Sequence, residues 1–261
     1  MADGTKLRPA FFDVEGEIYT PRTGCLSPWN PKNQNGVAVA GLLMHLAEQV
    51  AAPVPMVTAH VTFDILRGVP MGPNTGRACV VRQGHKMQMV ESHIIADGET
   101  VARARVMRVR QAVTPVVAVP MPYPLVENLP DQPFFNAQGV FGDLLESRIV
   151  AGMGGAGGPG TVWVRFPCDV VAGAAHNPVV CAAMLADFPN GVSNPLERGR
   201  WSFANVDISL HMARRPVGEW LLVDASTLTL GQGLGLASAV LADQDGVFGR
   251  AHQTLFVAPL G

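Results

Sequence analysis

The sequence predicts an α+β fold built from two tandem units, each a helix followed by connected antiparallel strands. Three observations carry that prediction. A proline-dense stretch divides the 261-residue chain near its middle, the same order of helical and strand-like runs occurs on either side, and the turn punctuation repeats at a nearly fixed offset.

Residues 113–133 hold six prolines, at 115, 120, 122, 124, 130 and 133. Proline fixes φ and has no N–H to donate, so this density excludes a helix or a central strand and fits an extended connector. The units are therefore read as 1–112 and 134–261, joined by a linker at 113–133. In the first, a helical stretch at 36–50 precedes strand-like runs at about 57–66, 75–83, 86–96 and 100–110. In the second, a helical stretch at 178–187 precedes runs at about 202–213, 219–229, 233–243 and 247–257. "RGVPMG" at 67–72 answers "ARRPVG" at 213–218, and "ADGETVARARV" at 96–106 answers "DQDGVFGRAHQ" at 243–253, an offset of 146 to 148 throughout. Self-similarity at one offset is the mark of a duplicated unit. Gly41, Met44, His45 and Glu48 occupy the helix phases of Val180, Ala183, Met184 and Asp187, so Glu48 answers Asp187; at the strand offsets Ala59 stands opposite Asn205 and Arg105 or Val106 opposite Gln253, so only the carboxylate is expected in both halves.

Composition narrows the function. With 48% hydrophobic and 15% charged residues the chain can bury large cores, which excludes disorder as its overall class. A formal charge of -2 supplies no field for gripping a polyanion, so no nucleic-acid partner is expected. Cys25, Cys79, Cys168 and Cys181 lack CxxC spacing and read as reduced thiols, not as a disulfide frame or a zinc site. The apolar run at 36–47 is too short for the roughly twenty residues a membrane helix needs, and the one at 112–126 is broken by prolines. Residues 1–9 lack the apolar stretch of a signal peptide, which makes the cytoplasm the default compartment.

Candidate chemistry is found by elimination and by polar residues in apolar settings. The chain has no G-x-S-x-G elbow, no G-x-x-x-x-G-K-[ST] and no H-E-x-x-H. "GMGGAGGPG" at 152–160 has no P-loop lysine and reads as a loop between strands. His211 shares a strand face with Asp207 and Ser209, a trio that a solvated strand explains as well as catalysis does. Val180, Ala183, Met184 and Asp187 share one helix face at i, i+3, i+4 and i+7, three apolar and the fourth a carboxylate. Near a helix C-terminus, and buried, such a carboxylate is expected to have a raised pKa and to suit a general base. The alternative is an aspartate that turns outward and caps the "FPNG" turn. Gln253 shares an apolar strand face with Leu255 and Val257, where an unpaired amide would cost roughly 1–3 kcal/mol. It either bonds the backbone or holds a substrate or water. Asn205 opens the strand "NVDISLHM", an unusual place for a residue that favours turns.

The stretches "PWNPKNQNGVAVAGLLMHLAEQV", "HVTFDILRGVPMGP", "ADFPNGVSNPL", "FANVDISLHMARRPVGEWLLVDA" and "DQDGVFGRAHQTLFV" resemble the acyl-CoA thioesterase II family, over about 20–110 and 140–258. The resemblance implies a double hotdog fold and an acyl-CoA substrate. Its catalytic aspartate falls on Asp187 in "LADF" and its last-strand glutamine on Gln253 in "AHQT". Its third member, usually a threonine or serine, falls on Asn205 in "ANVD", a departure that replaces a hydroxyl by an amide. The expected reaction is direct hydrolysis, with Asp187 taking a proton from a water that Asn205 and Gln253 help hold. Because hotdog sites usually lie between paired units, backbone N–H groups at "Gln34-Asn35-Gly36" are expected to face Asp187 as donors to substrate. No metal or other cofactor is needed. Met87 and Met89 read as core more than as an acyl tunnel, and the arginines at 103, 105, 108, 110, 214 and 215 more as sheet surface than as phosphate contacts. Hotdog sheets often pair, so a homodimer is expected. Two rivals remain: a non-catalytic acyl-CoA-binding protein, kept alive by Asn205, and a hotdog hydratase. The second is opposed by Val192, which stands where hydratases carry a histidine five residues after their aspartate.

Overall fold

The computed structural model describes residues 8–117, 121–132, 141, 144–152, 157–197 and 199–260. Two short strands open the fold, β1 (Ala10–Glu15) and β2 (Ile18–Pro21), followed by helix α1 (Gly36–Glu48). Four long strands complete the first half: β3 (Met56–Ile65), β4 (Asn74–Gln83), β5 (Met87–Ala96) and β6 (Glu99–Arg110). The second half holds β7 (Glu146–Ala151), β8 (Gly160–Arg165), β9 (Asp169–Val171), α2 (Pro178–Leu185) and α3 (Phe188–Ser193). It ends with β10 (Trp201–Met212), β11 (Trp220–Thr229), β12 (Leu234–Asp243) and β13 (Gly246–Pro259).

The eight long strands lie within two residues of the strand-like runs read from sequence, and β5 and β12 show the alternation of buried and open positions along most of their length. The five short strands escape such a reading. β1 and β2 form a hairpin turning on Gly16 at φ +61, and β8 is buried along nearly its whole length, so neither shows a long alternating pattern. The helices differ between halves. α1 runs unbroken for 13 residues, whereas the expected 178–187 helix stops at Leu185 and a second, six-residue helix begins at Phe188. Pro189 has no N–H to continue the first helix, which accounts for the break.

The strands make one sheet in the order β7-β8-β11-β12-β13-β10-β3-β6-β5-β4-β2-β1-β9. From β7 to β10 and from β1 to β3 the order is the same, read from opposite ends. The two runs meet at β10 and β3, antiparallel, with Asp207 opposite Asp64 and His211 opposite His60. The helices pack on one face of this sheet, α1 against α2, with Gly41 leaving room for Met184. One core spans both halves and includes Phe11, Leu42, Ile94, Leu185, Ile208 and Phe248. Helices α1 and α2 each start on an asparagine cap: Asn35 accepts from Ala38 N at 2.8 Å and Asn177 from Val179 N at 3.0 Å.

The proline-rich connector lies along the second half. Tyr123 Oη donates to Asp224 at 2.8 Å, and Trp163 Nε1 donates to the Pro124 carbonyl at 3.0 Å. Pro120 and Pro133, and 153–156 of the glycine-rich stretch, lie outside the described residues. None of the four cysteines forms a disulfide, and burial pushes the thiols of Cys25, Cys168 and Cys181 up to about 12. Among the described residues no helix is long and apolar enough to cross a membrane.

Arg214, one of the arginines read as sheet surface, is half-buried and turns its guanidinium inward. It holds the fully buried Asp243 with two bonds of 2.7 and 2.6 Å, and Asp243 also accepts from Val217 N and Asp245 N. Arg214→Met strands a buried carboxylate, and its unfolding free energy in urea is expected to fall by about 3–5 kcal/mol.

Candidate active site

Asp187 occupies the break between α2 and α3. Its backbone is still helical, φ −83 and ψ −10, yet its side chain makes no capping bond to α3. The carboxylate turns instead toward β10, where Asn205 Nδ2 donates to Oδ1 at 2.6 Å. It also presses on the start of α1, so closely that a methyl group on Gly36 would overlap both carboxylate oxygens. Burial raises the pKa of Asp187 to about 7, and the bond from Asn205 lowers it by less. The direction agrees with the expectation, but the cause is desolvation, with no contribution from a neighbouring charge.

Asn205 reaches Asp187 because β10 carries a bulge between Asn205 and Asp207, which lets the strand turn its side chains locally. Its Oδ1 is buried and has no hydrogen-bond partner. Gln253 is fully buried and touches the backbone on either side of the aspartate. Nε2 donates to Ala186 O at 3.1 Å and Oε1 accepts from Asn190 N at 2.9 Å. These are a terminal carbonyl of α2 and an early N–H of α3, groups that a helix break would otherwise leave unpaired. Ser193 Oγ meets Thr227 Oγ1 at 2.7 Å and fastens α3 to β11.

Asn35 and Gly36 stand at the same place in different roles. Beyond the cap, Asn35 Nδ2 donates to Gly24 O and Leu26 O at 2.9 and 3.2 Å, so its side chain is occupied by the fold. Gly36 provides the close approach, and the first N–H groups of α1 have no partner within the helix.

A second locus mirrors the first and corrects the repeat alignment. The bulges in β3 (Thr58/His60) and β10 (Asn205/Asp207) coincide at an offset of 147, so Asn205 corresponds to Thr58, not Ala59, and Gln253 to Val106. Thr58 Oγ1 donates to Glu48 Oε1 at 3.2 Å, and Asn177 Nδ2, at the start of α2, donates to Glu48 Oε2 at 3.1 Å. Each carboxylate thus sits at the end of one helix and against the start of the other. Two features separate the loci. The buried Arg108 pairs with Glu48 and donates to Ala47 O, and Pro178 replaces the glycine at the helix start. Thr58 was not singled out from sequence, and only an aligned bulge would have revealed it; Arg108, read as sheet surface, is instead buried against Glu48.

The other candidates fall elsewhere. His211 stacks on His60 across the seam, ring centroids 4.3 Å apart, and Arg103 and Arg105 pair with Asp64 and Glu91. Surface hollows lined by Arg67 and Glu99, and by Arg250 and His252, do not include Asp187. No group of metal-ligating side chains is found among the described residues.

Comparison with known proteins identifies the family. An acyl-CoA thioesterase N-terminal domain model matches residues 26–109, and an acyl-CoA thioesterase C-terminal domain model matches 123–257. No curated protein sequence matches. Among solved structures, a conserved protein with a hot dog fold from Alicyclobacillus acidocaldarius is 17% identical, TM-score 0.73, covering 95% of this chain and 96% of that one. A tesB protein from Mycobacterium avium subs paratuberculosis is 16% identical, TM-score 0.66, with 95% and 96% covered. An acyl-CoA thioesterase II from Mycobacterium marinum is 18% identical, TM-score 0.66, with 95% of each covered. The fold is a hotdog fold, and the chain belongs to the acyl-CoA thioesterase family.

Proposed function

We propose that this chain hydrolyses acyl-CoA thioesters by direct attack of water, as a double hotdog of tandem units 1–112 and 134–261 joined at 113–133. One observation carries the reading: a desolvated carboxylate with no counter-charge, its pKa pushed up to about 7, lies against a helix N-terminus beside an orphaned amide oxygen. Asp187 takes a proton from a water whose other hydrogen bonds Asn205 Oδ1. The water oxygen attacks the thioester carbonyl, whose developing charge meets the N–H groups at the start of α1. The tetrahedral intermediate collapses with cleavage of C–S, and the proton on Asp187 passes to the leaving thiolate. Gln253 serves by fixing the helix break from which Asp187 projects.

Asparagine suits this role despite lacking a hydroxyl. A threonine there would donate to the carboxylate and accept from water, and the Asn205 amide does both with separate atoms. The rival reading, acyl-CoA binding without turnover, rests on that same replacement.

Thiol release from a panel of acyl-CoAs tests the class directly. Release on no member of the panel, with acyl-CoA still bound, would hand the site to the binding reading. Asp187→Asn should lower kcat by about 10²–10⁴-fold. Asp187 works as the base only when deprotonated, so kcat/KM should rise through pH 7 and level off above it. A flat profile from pH 5 to 8 contradicts the assignment. The folded protein keeps the Asp187 proton where the unfolded chain has lost it, so the carboxylate destabilises the fold above pH 7 and not below about 4. Asp187→Asn should accordingly melt higher than wild type at pH 8, with the gap closing as pH falls. Asn205→Thr should retain activity. Asn205→Leu should lose about 10- to 100-fold and move the pH midpoint upward, since the bond that lowers the pKa is gone.

A further inference from the structure

Gln34 stands immediately ahead of the α1 cap and two residues ahead of Gly36, where the helix start meets Asp187. Neighbouring Cα atoms are about 3.8 Å apart, so its Cα lies within about 7.6 Å of the Gly36 Cα. Its backbone N–H donates to Val69 O at 2.8 Å, and its side-chain Nε2 donates to Pro70 O at 2.9 Å. The loop that supplies both acceptors leaves β3 just past Asp64, which pairs with Asp207 of β10, two residues beyond Asn205. Gln34 is thus held between the start of α1 and the chain leaving the strand that borders Asn205.

Its amide is fixed in one orientation. Pro70 O is an acceptor, so the group facing it is the NH2 end, and a flipped amide would set oxygen against oxygen. Oε1 is therefore turned away from Pro70, and among the described residues it is buried without a hydrogen-bond partner, on a residue only 7% exposed. A desolvated amide oxygen left unpaired is costly, and most such atoms in folded proteins find a donor. The same position in the second half, His176 ahead of the Asn177 cap, also keeps a buried polar atom, Nε2, unpaired. There the neighbouring carboxylate is Glu48, which Arg108 compensates; beside Gln34 it is Asp187, which has no counter-charge. An acceptor placed here suits a ligand that brings an N–H to the start of α1. A coenzyme A thioester brings one, since its cysteamine amide lies two methylenes from the sulfur and carries the coenzyme's nearest N–H to the reacting carbonyl.

We propose that Gln34 Oε1 accepts a hydrogen bond from the cysteamine amide of the leaving group, and so selects thioesters of the coenzyme A arm over simple alkyl thioesters. This selection rests on the hydrolase reading of Asp187 and is read out separately from it. The probes are two thioesters of one acyl group, made with N-acetylcysteamine and with 2-acetoxyethanethiol, in which an ester oxygen takes the place of the amide N–H. Thiol release gives kcat/KM for each, divided by its rate with hydroxide. Wild type should favour the amide by about 10- to 100-fold, because a site built to accept a hydrogen bond rejects the analogue that lacks the donor. Gln34→Met keeps a similar volume and leaves Pro70 O paired with Asn74 Nδ2 at 3.2 Å. It should bring the ratio close to one with unchanged far-UV circular dichroism. A wild-type chain that treats the two thioesters alike overturns the proposal without recourse to any variant, as does a Gln34→Met chain that keeps the preference. If neither thioester is hydrolysed, the hydrolase reading fails alone, and calorimetric titration of the same pair decides the proposal. Tighter binding of the amide that is lost in Gln34→Met upholds it, and equal affinity overturns it.

Discussion

The antiparallel pairing of β10 with β3 governs the rest of the molecule. Five residues on each side, Asp207 to His211 and His60 to Asp64, turn two half-sheets into one and relate the halves by an approximate two-fold axis. That axis makes α1 and α2 antiparallel neighbours on the same face, which brings the end of each against the start of the other. Asp187 therefore meets Gly36, and Glu48 meets Asn177, from opposite halves of the sequence. Each locus draws residues from both halves. The shared core has the same consequence for stability, since side chains from both halves fill it together.

The two loci share a frame and differ in how the carboxylate is satisfied. Glu48 receives a hydroxyl, an amide and the guanidinium of Arg108, so its charge is compensated where it stands. Asp187 receives one amide and lies in protein, which makes ionisation costly and holds its pKa near neutrality. The counter-charge of Arg108 is thus what separates the two loci: Glu48 has it and ties two helices together, and Asp187 has none. Pro178 against Gly36 acts in the same sense, since proline offers no N–H and fills the space that glycine leaves open.

The helix break is the second requirement. The backbone stays helical through Asp187, so its carboxylate remains in phase with Val180, Ala183 and Met184 and reaches the start of α1 and β10. The chain breaks just beyond it at Pro189, and Gln253 stabilises the break by pairing Ala186 O and Asn190 N. The amide that a strand-face reading leaves open between backbone and water is taken up by backbone on both of its polar ends.

The long strands, the helix starts and the repeat were legible in the sequence because they rest on local chemistry: alternation, asparagine caps and turn residues. Asp187, Asn205 and Gln253 were legible as polar residues in apolar surroundings and through the family's motif. The sequence could not show that Thr58, and not Ala59, matches Asn205, because one bulged residue in each strand shifts the face without changing the composition. Nor could it show that Arg108 neutralises Glu48, or that Asn35 is consumed by its cap while Gly36 beside it meets a carboxylate 151 residues away. Those relations depend on how two halves approach across a sheet. Sequence determined which elements form and which residues could do chemistry; tertiary structure decided which carboxylate is left without a counter-charge, and a pKa is set by what surrounds a group in space.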